Sequence, residues 1–228
     1  QEAMFYTSYY HTMINPSIYM DVDGKYRGLD QNIHQASGFQ NYTIFSLWDT
    51  YRAEHPLLML MKPDEARDMV MSMIRHQQQS VHGLLPVWSH MANDNWCMSG
   101  YHATSVLADA ISKGADIDVD EALKAMVTTS NVDYFDGIGD YIRLGYVPLE
   151  VSGTAASTTL EYAYDDWTIY WTALKAGNNE VAEKYRERAL NYRRIFDETL
   201  GFARPRYRDG TFKKDFDVLQ TYGEGFIE

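Results

Sequence analysis

Apolar side chains recur at helical spacing over most of the chain. Phe5, Tyr9 and Met13 fall at i, i+4 and i+8 and predict a helix over Ala3–Ile14. Asn15-Pro16 closes it, because proline disfavours helical backbone in the residue before it. Ile18, Met20 and Val22 then alternate, and Asp23-Gly24 is a two-residue turn signal, so Ile18–Leu29 is expected to form a small hairpin or ordered loop. Tyr42–Tyr51 is read as the second helix, rich in β-branched and aromatic residues, with Pro56 bending or breaking it and His55–Met61 adding a further turn or two. Pro63-Asp64-Glu65 opens a third helix running to Gln79, with proline in the first turn and acids at the positive end of the dipole. Met69, Val70 and Met73 form its apolar stripe.

Further helices are expected over Tyr101–Ser112, ended by Lys113-Gly114, and over Asp118–Val127 with its acidic start. Thr158–Lys175 is capped by Ser157 and stopped by Gly177-Asn178-Asn179. Glu180–Leu200 reads as a long amphipathic helix with its charges outward, and the tail FARPRYRDGTFKKDF as a second Asp-Gly hairpin. The pattern is therefore all-α, about seven helices with two short β-hairpins. Two connections are long, Gly83–Gly100 and Phe135–Ser157, and they carry Trp88, His90, Asp94, Trp96, Cys97 and Glu150. Long loaded connections alternate with short plain ones, as in a ring of helical hairpins where the loops at one end build a site.

Composition narrows the function classes. The 228 residues are 45% hydrophobic, enough for one large domain or two small ones. The net charge is −12, from 20 Lys+Arg against 32 Asp+Glu, with no basic run, which excludes nucleic acid and anionic membrane as partners. Tyr185–Arg194 mixes its cations with Glu and apolar residues and reads as a solvated helix face. Cys97 is the only cysteine, so no intrachain disulfide forms. There is no signal peptide and no membrane-spanning apolar run. The chain opens on Gln1 without an initiator Met and ends at Glu228 without a polar tail; it reads as a segment cut from a longer protein.

The densest candidate chemistry is FQNYTIFSLWDTYRAEHP, Phe39–Pro56, where Trp48, Asp49 and Arg52 sit together. A ring beside a carboxylate suits a sugar: the ring covers an apolar C–H face and the carboxylate accepts hydroxyl protons. A core tryptophan with a structural ion pair is the competing reading. Asp21, Asp23 and Asp30 surround Asp23-Gly24, but the glycine is at the wrong offset for a calcium loop, and solvated acids on a turn are expected. Glu161 and Asp165 share a helix face at i, i+4, so spacing alone nominates them as a catalytic carboxylate pair; helix ion pairs and loop anchoring are the alternative for Asp165 and Asp166.

Eight collinear segments carry a family resemblance: YTSYYHTMINP (Tyr6–Pro16), YMDVDGKYRGLD (Tyr19–Asp30), YTIFSLWDTYRAEHPLL (Tyr42–Leu58), LPVW (Leu85–Trp88), GYHATSVLADAISKG (Gly100–Gly114), GYVP (Gly145–Pro148), TLEYAYDDW (Thr159–Trp167) and RPRYRDGTF (Arg204–Phe212). Together they resemble the glycoside hydrolase family 92 α-mannosidases. The resemblance implies a calcium-dependent, inverting exo-α-mannosidase of glycans, including N-glycans, in which a β-sandwich precedes an (α/α)6 toroid. On this reading residues 1–228 are an incomplete toroid, and the N-terminal sandwich and the C-terminal remainder of the toroid lie outside them.

The resemblance also implies that the general acid sits in a Gly-Asn-Glu-Pro motif and the base in a Gly-Asp-x-Asp-type motif. Neither occurs here, so no catalytic acid or base is assigned, the Glu161–Asp165 nomination gives way, and the calcium ligands are expected outside the segment, which is expected to be inactive alone. Its expected contribution is recognition of mannose in the −1 subsite by Trp48 and Asp49 first, then Trp88, His102, Glu150 and Asp165. For Trp88 and His102 simple core packing competes with that role. The implied partners are a mannose-containing glycan and the remainder of the parent chain, and the implied location is periplasmic, secreted or cell-surface. A non-catalytic helical carbohydrate-binding module, another toroid glycosidase and a polysaccharide lyase are the alternatives.

Overall fold

Helices dominate the computed structural model, which describes residues 1–219 and 222–227; the reading of Glu228 as an unfinished end lies outside the described residues. The chain forms two units, Gln1–Met98 with His102–Ala125, and Ser99–Tyr101 with Met126–Glu228.

In the first unit α1 (Glu2–His11) forms where the spacing predicts, but none of its residues is buried; its Phe5 and Tyr9 rings stack on each other at 6.3 Å. Four short strands follow: β1 (Ser17–Ile18), β2 (Lys25–Arg27), β3 (Ile33–Gln35) and β4 (Tyr42–Thr43). The Asp23-Gly24 turn is present, with Gly24 at φ 82°, but it does not join the expected strands. β1 pairs antiparallel with β4, and β2 with β3. The acids here serve turns and local pairs. Asp23 accepts the Lys25 amide and ammonium, and Asp30 accepts Asn32 and His34.

The Tyr42–Tyr51 segment departs from the expected helix. It is β4, then β5 (Phe45–Ser46), then a single turn, α2 (Leu47–Thr50). Two causes combine. Thr43, Ile44 and Phe45 are β-branched or aromatic and suit a pleated, half-buried surface, and Ile44 takes φ 67°, which no helix accommodates. Strand partners distant in sequence then complete the local choice. Pro56 does not break anything: it lies in the first turn of α3 (Glu54–Met61), where its missing N–H has no helical acceptor. α4 (Pro63–Gln79) matches the predicted span and buries Met69, Val70, Met73 and Ile74. β6 (Trp88–Ser89) pairs with β5, α5 (Ala103–Ser112) packs with α3 and α4, and Leu58, Leu84, Leu85 and Leu107 are buried.

α6 (Val119–Thr129) carries the boundary between the units. The second unit contains a helix the sequence pattern did not indicate, α7 (Ile138–Leu144), inside the long second connection. Left-handed Gly137 and Gly145, at φ 77° and 79°, bracket it, and seven residues are too few for a periodic signal. α8 (Ala155–Lys175) starts before the expected Ser157 cap, and Thr154 takes the N-cap position. α9 (Asn179–Arg188) is capped by Asn178, whose side chain accepts the Val181 amide at 3.1 Å. The expected long helix then tightens into a 3-10 segment, Ala189–Ile195, and ends in β7 (Phe196–Asp197), paired with β8 (Phe202–Ala203). Around Asp209-Gly210 the predicted turn forms, closed by an Arg206–Phe212 bridge.

Four fully buried tyrosines, Tyr101, Tyr141, Tyr162 and Tyr185, centre the second unit. Their hydroxyls need partners: a buried ion pair takes those of Tyr101 and Tyr141, Tyr162 donates to the Asp136 carbonyl at 3.0 Å, and Tyr185 pairs with Ser130. Asp166 accepts Tyr101 Oη at 2.7 Å, Tyr141 Oη at 2.9 Å and Arg188 Nε at 2.9 Å. Arg188 also donates to the Ser130 carbonyl at 3.2 Å, and Ser130 pairs with the Tyr185 hydroxyl. Burial pushes the Asp166 carboxyl up, and the Arg188 guanidinium and the two phenols oppose it. Removing one member of such a pair strands the other charge. Arg188→Met is therefore expected to destabilise the protein by about 3–5 kcal/mol, read as a fall in urea midpoint; a loss below about 1 kcal/mol, the scale of an exposed pair, would contradict the assignment.

Candidate functional site

The site in the first unit is built on the β5–β6 pair. Ser46 lies opposite Trp88 in that ladder, and its hydroxyl donates a short hydrogen bond to Asp49 Oδ2. The strand runs directly into α2, whose single turn lifts Trp48 and Asp49 off the sheet. The Leu47 amide donates to the Val87 carbonyl at 3.3 Å and Thr50 Oγ1 to the Ser46 carbonyl at 3.1 Å, which ties the turn to both strands.

Arg52 follows the turn. Its guanidinium lies 5.2 Å from the Trp48 ring centroid and 4.7 Å from that of Tyr51. Tyr51 in turn stacks on His102, centroids 4.2 Å apart and planes 12° from parallel. Trp48, Asp49, Trp88 and His102 thus share one unit and are linked through Ser46, Tyr51 and Arg52. Asp49 is exposed and Trp48 and Trp88 are half-buried, whereas His102 is buried. Among the described residues the Trp48 Nε1–H is buried and meets no hydrogen-bond acceptor. Ile44, two residues before Ser46, and Met91 and Trp96, on the Trp88 loop, hold positive φ values of 67°, 54° and 54°. Non-glycine residues hold such angles only where their surroundings impose them.

Glu150 and Asp165 belong to the second unit. Glu150 is exposed, and its two oxygens accept the Arg208 amide at 3.0 and 3.1 Å. Asp165 is fully buried and accepts the Tyr101 amide at 2.8 Å. Their geometry is that of loop anchors. Glu161, half-buried on the same helix as Asp165, belongs to this unit too.

Sequence reasoning assigned no role to Ser46, Tyr51, His76 or Asp94. Asp94 carried one usable signal, a lone acid within a long connection without other charged residues. Ser46 and His76 carried none, because their roles depend on strand pairing and on a helix reached across the fold.

The model of the glycosyl hydrolase family 92 catalytic domain matches residues 1–228. The chain belongs to glycosyl hydrolase family 92. Within the family it is similar to an α-mannosidase from Bacteroides thetaiotaomicron in complex with mannoimidazole, with 44% identity, a TM-score of 0.91, and coverage of 93% of this chain and 28% of that one. A second structure of that enzyme gives 43% identity and a TM-score of 0.94, covering 98% of this chain and 30% of that one. An inverting family 92 mannosidase from the same organism gives 32% identity and a TM-score of 0.88, covering 98% of this chain and 31% of that one. The chain therefore spans under a third of the length of these family 92 relatives. No curated protein matches it.

Two titratable neighbours just after the Trp48 turn respond to pH in opposite directions. Burial lowers His55 from 6.5 to about 4 and raises Glu54 from 4.5 to about 7. Below pH 6.5 the unfolded chain binds a proton that folded His55 refuses, so its contribution declines as pH falls from 6.5 to 4. That decline is on the order of 3 kcal/mol. Folded Glu54 keeps a proton that the unfolded chain releases, so its contribution is complete below pH 4.5 and is lost as pH rises to 7. Urea midpoints measured from pH 4 to 7.5 are expected to show a shallower acid decline in His55→Gln and a shallower decline toward neutrality in Glu54→Gln.

Proposed function

We propose that residues 1–228 are the sugar-recognition part of a longer exo-α-mannosidase, calcium-dependent and inverting, that removes terminal α-mannose from glycans. The Ser46 junction carries this reading. It joins Trp48, Asp49 and Trp88 in a chain 43–44% identical to an α-mannosidase from Bacteroides thetaiotaomicron. Tryptophan faces cover the C–H face of a pyranose. The unpartnered Trp48 N–H offers a donor to a sugar hydroxyl, and the exposed Asp49 carboxylate offers an acceptor. Arg52, 5.2 Å from the Trp48 ring centroid, places a positive charge beside that ring.

Inverting hydrolysis needs an acid to protonate the leaving oxygen and a base to activate water on the opposite face, about 6.5–9.5 Å apart. Neither role is assigned to a residue of this segment; the longer polypeptide supplies both. Among the described residues no group of three or more His, Cys, Asp or Glu side chains stands close enough to hold a metal ion. We place the calcium ligands in the longer polypeptide and derive no step through the ion. No helix among the described residues is long and apolar enough to cross a membrane, and the proposed place of action is the periplasm or cell surface.

The full-length protein is expected to hydrolyse α-linked mannobiose, and residues 1–228 alone are expected not to. In the full-length protein Trp48→Ala and Asp49→Ala are each expected to lower kcat/KM roughly 10- to 100-fold, the scale of one lost charged or stacking contact. Steady-state kinetics on mannobiose checks this; turnover by the isolated segment would put the acid and base inside it.

A further inference from the structure

The loop bearing Trp88 is organised by a single buried carboxylate. Asp94 Oδ2 accepts the Val87 amide at 2.9 Å, and Oδ1 accepts the amides of Trp88 and Trp96, each at 3.0 Å. His76 Nε2, on α4, lies 3.4 Å from Oδ2, and the two side chains are only 7% and 4% exposed. Both ends of the 87–96 segment are thereby pinned to one residue, and that residue is pinned to a long helix. Local bonds complete the loop: His90 N–H to the Asn93 carbonyl at 2.9 Å, Asn95 N–H to the Trp88 carbonyl at 3.3 Å, and Met91 N–H to Thr43 Oγ1 at 2.6 Å. Burial by itself would raise the Asp94 carboxyl, but His76 and the amide donors outweigh it and hold the group below its usual range. Met91, held by Thr43, and Trp96, held by Asp94, both sit at positive φ.

From Trp88 the constraint continues. Trp88 pairs with Ser46 across β5–β6, and Ser46 donates to Asp49. Asp94 therefore fixes where the Trp88 ring stands and, through one ladder rung and one hydroxyl, how the Asp49 carboxylate is turned. We propose that His76 and Asp94 are a positioning pair for sugar recognition, setting the Trp88–Ser46–Asp49 arrangement without touching the sugar. The inference rests on the α-mannosidase reading above. A small displacement of a binding group is enough to weaken its contact with the sugar.

The test uses full-length protein with Asp94→Asn, His76→Ala and His76→Gln. Two readouts are combined: KM and kcat on α-linked mannobiose, and hydrogen exchange at the Val87, Trp88 and Trp96 amides. Asp94→Asn is expected to raise KM roughly 10-fold while kcat falls less than about 3-fold, the pattern of lost uniform binding. The Val87 amide, whose acceptor oxygen becomes an NH2, is expected to exchange roughly 10-fold faster, and the Trp88 and Trp96 amides, left on a neutral oxygen, faster by a smaller factor. His76→Ala is expected to move both readouts in the same direction. His76→Gln, which keeps an N–H toward Asp94, is expected to recover most of the His76→Ala loss. If Asp94→Asn does not fold, His76→Ala, which leaves all three amide bonds in place, carries the same readouts. Unchanged KM in the folded variants, whether or not the amides exchange faster, overturns the positioning role. Failure of the wild-type full-length protein to turn over mannobiose is a separate result: it sinks the α-mannosidase reading, and the loop assignment then stands or falls on amide exchange alone.

Discussion

A carboxylate removed from water must find donors for its oxygens, and that requirement shapes both units of this chain. In the first unit Asp94 satisfies it with three backbone amides and a histidine, and in doing so gives an irregular connection one conformation. In the second unit Asp165 and Asp166, adjacent on α8, satisfy it separately: Asp165 takes the Tyr101 amide, and Asp166 takes two phenols and a guanidinium. Helices supply rigid supports, and buried acids connect the loops to them. A hydrophobic contact is non-directional and could not specify loop shape in this way.

The same chemistry distinguishes acids bonded to backbone amides from one bonded to a side-chain hydroxyl. Glu150 and Asp165 each spend acceptor capacity on a backbone amide, Arg208 and Tyr101 respectively. Asp49 is exposed within a one-turn helix and accepts a hydrogen bond from the neighbouring Ser46 hydroxyl. A hydroxyl partner leaves lone pairs for further donors, since an ionised carboxylate has about four acceptor sites.

Helix-forming stretches with long amphipathic faces were legible in the residue pattern. Pro63–Gln79 is an example: an N-terminal proline, two acids and a Met-Val stripe all pointed one way, and the helix has those limits. Tyr42–Tyr51 was not legible, because its rings and β-branched residues suit strand and buried helix equally, and the choice fell to partners at Ser17–Ile18 and Trp88–Ser89. α7 escaped for a different reason, since seven residues between two left-handed glycines give periodicity nothing to act on. Glu180–Leu200 was over-extended because the pattern continues past Arg188 while the backbone tightens to 3-10.

The residues by themselves determined the helical class, the family and the pairing of a ring with a carboxylate at Trp48-Asp49, because these follow from local order along the chain. Tertiary structure alone decided that Trp88 pairs with Ser46 across a strand ladder, that His102 stacks on Tyr51, and that Asp94 meets His76. Those relations cross tens of residues, and no periodicity encodes which distant donor a buried carboxylate will meet.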